Sequence, residues 1–406
     1  MRFPSAARSR SLLLTNTGAG QRMTDMNRTI EILDRLIAFP TVSRDSNIDL
    51  IDWVQDLLQR ANFDVMRIWS PDRTKAGLFA RIGPKVDGGV CLSAHTDVVP
   101  VDGQVWTRPE FQLTDEGDRL FGRGATDMKG FLASALALAE RAKSAKLNAP
   151  LSLSISYDEE IGCAGIRQMM PEMKQLIGKP DLVVVGEPTT MKVATGHKGK
   201  TSLKVTCHGA AGHSALAPQF VNAIHVASNF VHHIRELQDQ IAEGPRDDGY
   251  SIPYSTVHIG RIVGGRSLNI VPDSTQLDLE FRHLAETPAQ DIQRKIEAAA
   301  QKASAEFPLA RPISVEAINS YPGLNTDPSR AIVARADKLA GKSGTTKVPF
   351  GTEAGFFAEL GLNTVVIGPG DMASDGHKPD EGLNKAELSA CDAMMDRVLC
   401  ALRAGD

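Results

Sequence analysis

Apolar residues recur at helical spacing in "NRTIEILDRLIAFPTVS", at Ile30, Ile32, Leu33, Leu36 and Ile37, and Pro40 closes that helix. A second amphipathic helix follows in "DLIDWVQDLLQRANF". The pattern then changes to short apolar runs bounded by turns. "GGVCLSAHTD", "LSLSISYDEE" and "DLVVVGEP" read as strands, and the Ala/Leu-rich "FLASALALAERAKSA" as a buried helix. Strands alternating with helices predict an α/β fold with a mainly parallel central sheet flanked by helices.

Near Lys198 the texture shifts. "KTSLKVTCHG" alternates polar and apolar with period two, as a strand with one wet face does. A long helix, "NAIHVASNFVHHIRELQDQI", follows, then strands "YSTVHIGRIVGG" and "STQLDLEFRHL", helix "PAQDIQRKIEAAAQKAS" and strand "RPISVEAINSY". That β-α-β-β-α-β order is ferredoxin-like. After Tyr321 the α/β texture returns with helix "SRAIVARADKLAG", strand "NTVVIGPG" and helix "KAELSACDAMMDRVLCALRA". The expected organisation is a catalytic domain over residues 27–197 and 321–406, with an α+β domain over 198–320 inserted into it. Residues 1–26 are set apart. Their start is basic, Ser-rich and free of acids, which reads as a disordered tail, an alternative start region or a weak targeting segment.

Composition narrows the function classes. The 406 residues suffice for two or three domains, and 42% hydrophobic content is that of a globular chain. A net charge of −4 and the lack of a basic stripe with interleaved aromatics give no reason to expect nucleic acid. No apolar run has the roughly 18 residues of a membrane helix. Five scattered cysteines, Cys91, Cys163, Cys207, Cys391 and Cys400, form no CxxC pair and read as reduced thiols of a cytoplasmic protein.

The chemistry gathers where the strands stop. "VCLSA" ends at His95, with Asp97 two residues on. "LSLSISY" ends at Asp158, Glu159 and Glu160. "DLVVV" ends at Gly186 and Glu187. "NTVVI" feeds the loop "GPGDMASDGHKPDE" that carries His377. Ligand sites of open α/β sheets form outside the carboxyl ends of the strands, so these side chains should meet in one crevice. Such a crowd of carboxylates repels itself unless cations are present, and His with Asp or Glu suits zinc. The loop "GRGATDMKG" fits this picture better than phosphate binding. Asp127 occupies the place where a phosphate would need a helix start free of negative charge.

Taken in order, "SAHTDVVP", "GRGATDMKG", "DEEIG", "GEPT", "GHKG", "GHSA" and "GHKPDE" resemble the zinc-dependent family of aminoacylases, dipeptidases and amino-acid deacylases, over nearly the whole chain from Asn27 to Ala404. The resemblance implies two divalent metals, Zn2+ in the first instance, with Co2+ or Mn2+ accepted by the same donors. It implies that Asp127 bridges them, that His95 and Glu187 complete one site, and that Glu160 and His377 complete the other. Glu159 would be the general base. Asp97 would accept the free N–H of His95. A cis peptide would join Asp127 to Met128. His213, in "AAGHSALAP", would help stabilise the oxyanion, often from the partner subunit of a homodimer formed through the inserted lid domain. Arg282 would clamp a substrate carboxylate, with Asn269 nearby. Glu353 in "GTEA" would receive a cationic side chain such as that of ornithine.

The implied reaction is hydrolysis of an N-acyl amino acid, a small-molecule substrate, with N-acetylornithine of arginine biosynthesis foremost. Desuccinylation of a diacid, aminoacylase and dipeptidase or carboxypeptidase activity remain open. So does a non-catalytic binding role, although the base and all five ligands are present. His208, His225, His232, His233, His258 and His283 read as surface or interface residues.

Overall fold

The computed structural model describes residues 17–405. The expectation for residues 1–26 therefore lies largely outside the described residues. The first helix is described from Thr17 and runs to Ile37, three residues before Pro40.

A nine-stranded sheet forms the larger layer. Its central strands run in the spatial order Leu151–Ser156, Val90–His95, Leu182–Val185 and Thr364–Val366, all parallel. Antiparallel strands Ala76–Ile82 and Asp64–Trp69 extend one side. On the other side, Thr364–Val366 borders the antiparallel strand Val193–His197. The central strands are buried along their whole length, as parallel strands covered on both faces must be.

Each face has its own apolar core. On one, the helices Thr17–Ile37, Gly130–Ala142 and Lys385–Ala404 pack together. On the other, Ala164–Leu176 and the short Ala354–Glu359 pack around Tyr157, Met169 and Phe357. The Ala/Leu pattern of Gly130–Ala142 is explained by its burial on nearly every side, where small residues allow close approach.

The alternating segments build a separate four-stranded antiparallel sheet. Thr256–Gly264 lies at one edge, followed by Ser274–His283, Gly199–His208 and Ser314–Tyr321. Helices Ala223–Ala242 and Ala289–Ala305 cover one face around Phe230, Phe281 and Ile296. The element order is the ferredoxin-like order expected from the sequence. All five cysteines are free, four of them buried and Cys400 exposed. No helix among the described residues is long and apolar enough to cross a membrane.

Candidate active site

Sheet register explains why distant side chains converge. His95 pairs with Ser156, and Ser93 with Val185. His95, the residues after Ser156 and those after Val185 therefore leave the sheet at the same edge. The chain after Thr364–Val366 returns over that edge to His377, whose backbone φ of 61° lies in the left-handed region. Asp127 arrives on the wide turn Ala125–Lys129, joined to Met128 by a cis peptide. Gly124 precedes that turn at φ 85°, and a Cβ there would lie 2.7 Å from Val98 Cγ1. Only glycine fits both constraints.

Asp127 stands between the two imidazoles. Its Oδ1 is 3.2 Å from His95 Nε2, and its Oδ2 is 3.1 Å from His377 Nε2. Glu187 Oε1 lies 3.7 Å from His95 Nε2, and Glu160 Oε2 lies 3.0 Å from His377 Nε2. Asp127, Glu159, Glu160, Glu187 and His377 line a cavity of about 330 Å³. The Cys163 thiol donates to Glu159 Oε1 at 3.2 Å.

The electrostatics follow from enclosure. Burial pushes the Glu159 and Glu187 carboxyls well above their ordinary range, and repulsion from neighbouring carboxylates adds to it. Glu160 is pushed up to about 7 by burial and by Asp127. Burial acts to lower His95, but Asp127, Asp97 and Glu187 outweigh it and leave its pKa raised. Hydrogen bonds to Asp127 and Glu160 raise His377 to about 10. Burial opposes ionisation of Asp127, yet the two imidazoles hold its pKa below the usual range.

This donor set fits divalent cations. Four carboxylates face one small cavity, and two imidazoles can offset only part of that charge. Glu187 Oε1 is buried with no hydrogen-bond donor among the described residues, as expected of an oxygen reserved for a cation. His95, Asp127 and Glu160 form one group of converging donor atoms, and His95, Glu159 and Glu187 another. His95 Nδ1 donates to the Asp97 backbone carbonyl at 2.9 Å, leaving the Nε2 lone pair directed at the cluster.

The structure corrects or relocates several expectations. The nearest acceptor for His95 is the Asp97 carbonyl, since the carboxylate lies 3.5 Å away. That carboxylate instead accepts from Ser43 Oγ at 2.7 Å and from the N–H groups of Glu159 and Glu160 at 3.0 and 3.2 Å. It thus orients the turn that carries both glutamates. Glu353 does not line the cavity. It is 1% exposed, lies beneath the ligands and accepts from Ser156 Oγ and Ser93 Oγ, so no substrate side chain reaches it here.

Arg282 does line the cavity, whereas His213 and Asn269 do not. Those two are exposed neighbours on the small sheet's loops, where Ser214 N–H donates to the Asn269 carbonyl.

Glu381 was not foreseen. Its carboxylate accepts from the N–H groups of Gly124, Thr126 and Asp127 at 3.0, 2.9 and 3.0 Å, and from Arg123 Nη1 at 2.7 Å. Arg123 Nη2 donates to Gln104 Oε1, and Gln104 Nε2 to the His377 carbonyl at 2.9 Å. The Asp127 turn and the His377 loop are thereby fastened to each other.

Residues 91–401 match the family model described as Peptidase family M20/M25/M40. The chain belongs to this family. Acetylornithine deacetylase of Shigella sonnei (strain Ss046) is 34% identical over 364 residues, spanning 87% of this chain and 92% of that protein. Among solved structures, an M20 family metallo-carboxypeptidase of Sulfolobus solfataricus aligns with a TM-score of 0.75 at 18% identity, over 93% of this chain and 99% of the other. A peptidase of Bacillus subtilis, described as dinuclear metal binding, aligns at 0.69 and 16% identity over 94% and 99%. This M20-family protein is thus a hydrolase with a candidate metal centre at the strand ends.

Proposed function

We propose that this hydrolase removes the acetyl group from N2-acetylornithine, giving ornithine and acetate in arginine biosynthesis. The observation that carries this reading is the meeting of His95, Asp127, Glu160, Glu187 and His377 in one cluster, beside a cavity that Glu159 also faces. The kinship to an acetylornithine deacetylase supports the choice of substrate.

In this proposal Asp127 would be shared by two divalent metals. His95 and Glu187 would hold one, and Glu160 and His377 the other. Zn2+ suits the donors, and Co2+ or Mn2+ would be accepted. Bound there, the metals would supply Lewis acidity toward water and the amide carbonyl. Glu159 takes a proton from the water that adds to the amide carbon, then delivers it to the departing nitrogen.

His213 and Asn269 reach the site from the second subunit of a homodimer. Their exposure beside Ile262, Val263, Leu268 and Ile270, all exposed apolar residues, supports an interface at this end of the small sheet. The enzyme acts in the cytoplasm as a soluble protein without nucleic-acid or membrane partners.

A second reading, aminoacylase or dipeptidase action on a neutral side chain, is favoured by one feature. Tyr321, Phe350 and Met372 line the cavity, while Glu353 lies outside it. A panel separates the two. Metal-loaded enzyme should release ornithine from N2-acetylornithine far faster than it cleaves N-acetylmethionine, N-succinyl-diaminopimelate or a dipeptide. Cleavage of the others with N2-acetylornithine untouched would reject the substrate and keep the chemistry. Metal analysis should give two ions per chain.

A further inference from the structure

The turn that carries Glu159 and Glu160 is held from two directions. Asp97, on the large sheet's side, accepts from their N–H groups. The Glu159 carbonyl accepts in turn from the N–H groups of Gly162 and Cys163, at 2.8 and 2.7 Å. Those N–H groups belong to the Ile161–Gly162 and Gly162–Cys163 peptide units. The oxygens of the same two units are the carbonyls of Ile161 and Gly162, and Asn319 Nδ2 donates to both, at 2.8 and 2.9 Å. Each peptide unit therefore relays from Asn319 to Glu159. Hydrogen bonds linked in this way polarise one another.

Asn319 lies on the strand Ser314–Tyr321 of the small sheet, and it reaches the turn because that strand is bulged. Ala317 pairs with Leu203 and Asn319 with Ser202, which leaves Ile318 as the extra residue. Regular pairing would set Asn319 opposite Thr201, buried on the same side of its strand as Leu203 and Val205. One extra residue turns Asn319 to the other face, the face from which Lys200 and Tyr321 line the cavity. The amide then sits against a residue with no side chain. Gly162 has a φ of 94°, and a Cβ there would lie 1.7 Å from Asn319 Nδ2.

Docking of the two sheets does not require this fork. Arg167, on the helix Ala164–Leu176, already spans them by donating to the Ser320 carbonyl, and the same nitrogen donates to Asn319 Oδ1. Ile161 is exposed, so water would satisfy its carbonyl and burial creates no demand for a protein donor. The bulge, the crowded glycine and the two-pronged donor converge on one turn, the turn of the proposed base.

We infer that Asn319 is a positioning residue for the reaction: it fixes the Glu159 backbone through two peptide units and makes the aim of Glu159 depend on where the small sheet sits. This rests on the role proposed above for Glu159. Asp97 holds the N–H side of the turn from one sheet, and Asn319 holds its carbonyl side from the other. The acid–base group is fully aimed only with both sheets in place.

The test uses metal-loaded enzyme and the N-acyl amino acid it cleaves fastest. Asn319→Asp keeps the size of the side chain and the acceptor for Arg167, but sets an oxygen against two carbonyls. It should lower kcat about 10- to 100-fold, with KM within about twofold and the metal content of wild type. Asn319→Ala, which removes the donors without adding charge, should give the same pattern. Arg167→Met, which breaks the direct tie between the sheets, should cost less. In a Glu159→Ala background, Asn319→Asp should cause no further loss, because the group it positions is gone.

A kcat within twofold of wild type in both Asn319 variants would overturn the inference and leave the hydrolase standing. So would a rise in KM with kcat unchanged, a larger loss in Arg167→Met, or an undiminished loss in the Glu159→Ala background. Wild type inert toward every N-acyl amino acid would overturn the function itself, and the inference with it.

Discussion

The strand ends of the large sheet and the loops of the small one bear proposed site residues in opposite states. His95, Asp127 and Glu187 are buried, and Asp97 braces the turn of Glu159 and Glu160 through backbone N–H groups. His213 and Asn269 are exposed, held by two backbone hydrogen bonds between their loops, from Ser214 N–H to the Asn269 carbonyl and from Val271 N–H to the Gly212 carbonyl, and by the Ala215 N–H that the His213 ring accepts. One region is preorganised because its groups would be intolerable if left to move, since carboxylates at such spacing must be held. The other carries polar groups that await a surface to act on.

The largest expected effect probes both regions at once. Glu159→Ala should lower kcat by about 10⁴-fold with metal content unchanged, and His213→Ala by about 10²- to 10³-fold. If His213 serves the partner subunit, refolding the two inactive variants together creates dimers with one intact site. About a quarter of wild-type activity should then return. Mixtures that stay inactive would place His213 with its own chain or outside catalysis.

A smaller effect is expected from Glu381→Ala, which leaves every proposed ligand in place but removes the acceptor for three N–H groups of the Asp127 turn. Metal affinity, read by chelator competition, should fall about 10- to 100-fold, the usual consequence of loosening what holds a ligand. Unchanged affinity would mean that the turn holds its shape without this brace.

The smallest effect uses a buried acid far from the cluster as a control. Burial pushes the Asp392 carboxyl up to about 6 from an ordinary value of 3.8, with Thr29 Oγ1 donating to it at 3.0 Å. A raised carboxyl binds its proton more tightly in the folded state. Its contribution is present below pH 3.8 and is lost as pH rises through about 6. Asp392→Asn should therefore stabilise the protein by on the order of 2 kcal/mol near neutral pH and do little near pH 4, measured by thermal unfolding. An equal change at both pH values would trace the effect to packing instead.

The strand-end ligands were legible in the sequence because each run of Val, Ile, Leu or Ala stops on an acid or imidazole. Parallel strands bring such ends to one edge. The small domain was legible from its period-two alternation. The bracing groups were not. Glu381 sits in "GHKPDE", a few residues from His377, and nothing in a sequence separates an acid that holds a metal from one that accepts N–H groups. Asn319 stands in an alternating strand, as any solvated residue would. Only the pairing register shows the bulge that turns it toward the Glu159 turn. Glu353 was misjudged for a related reason. A carboxylate in a loop looks available, and the hydroxyls of Ser93 and Ser156 that enclose it come from strands about 200 to 260 residues earlier.

Glu381 and Asp127 are 254 residues apart, on opposite sides of the inserted sheet. A chain emerging from the ribosome would display most of its acids long before the brace for Asp127 or the second imidazole had been made. Early fragments, and products of proteolysis within the insertion, would lack a finished centre, so hydrolytic capacity would appear only at the last stage of synthesis. The arrangement works as a completeness check written into the order of the polypeptide.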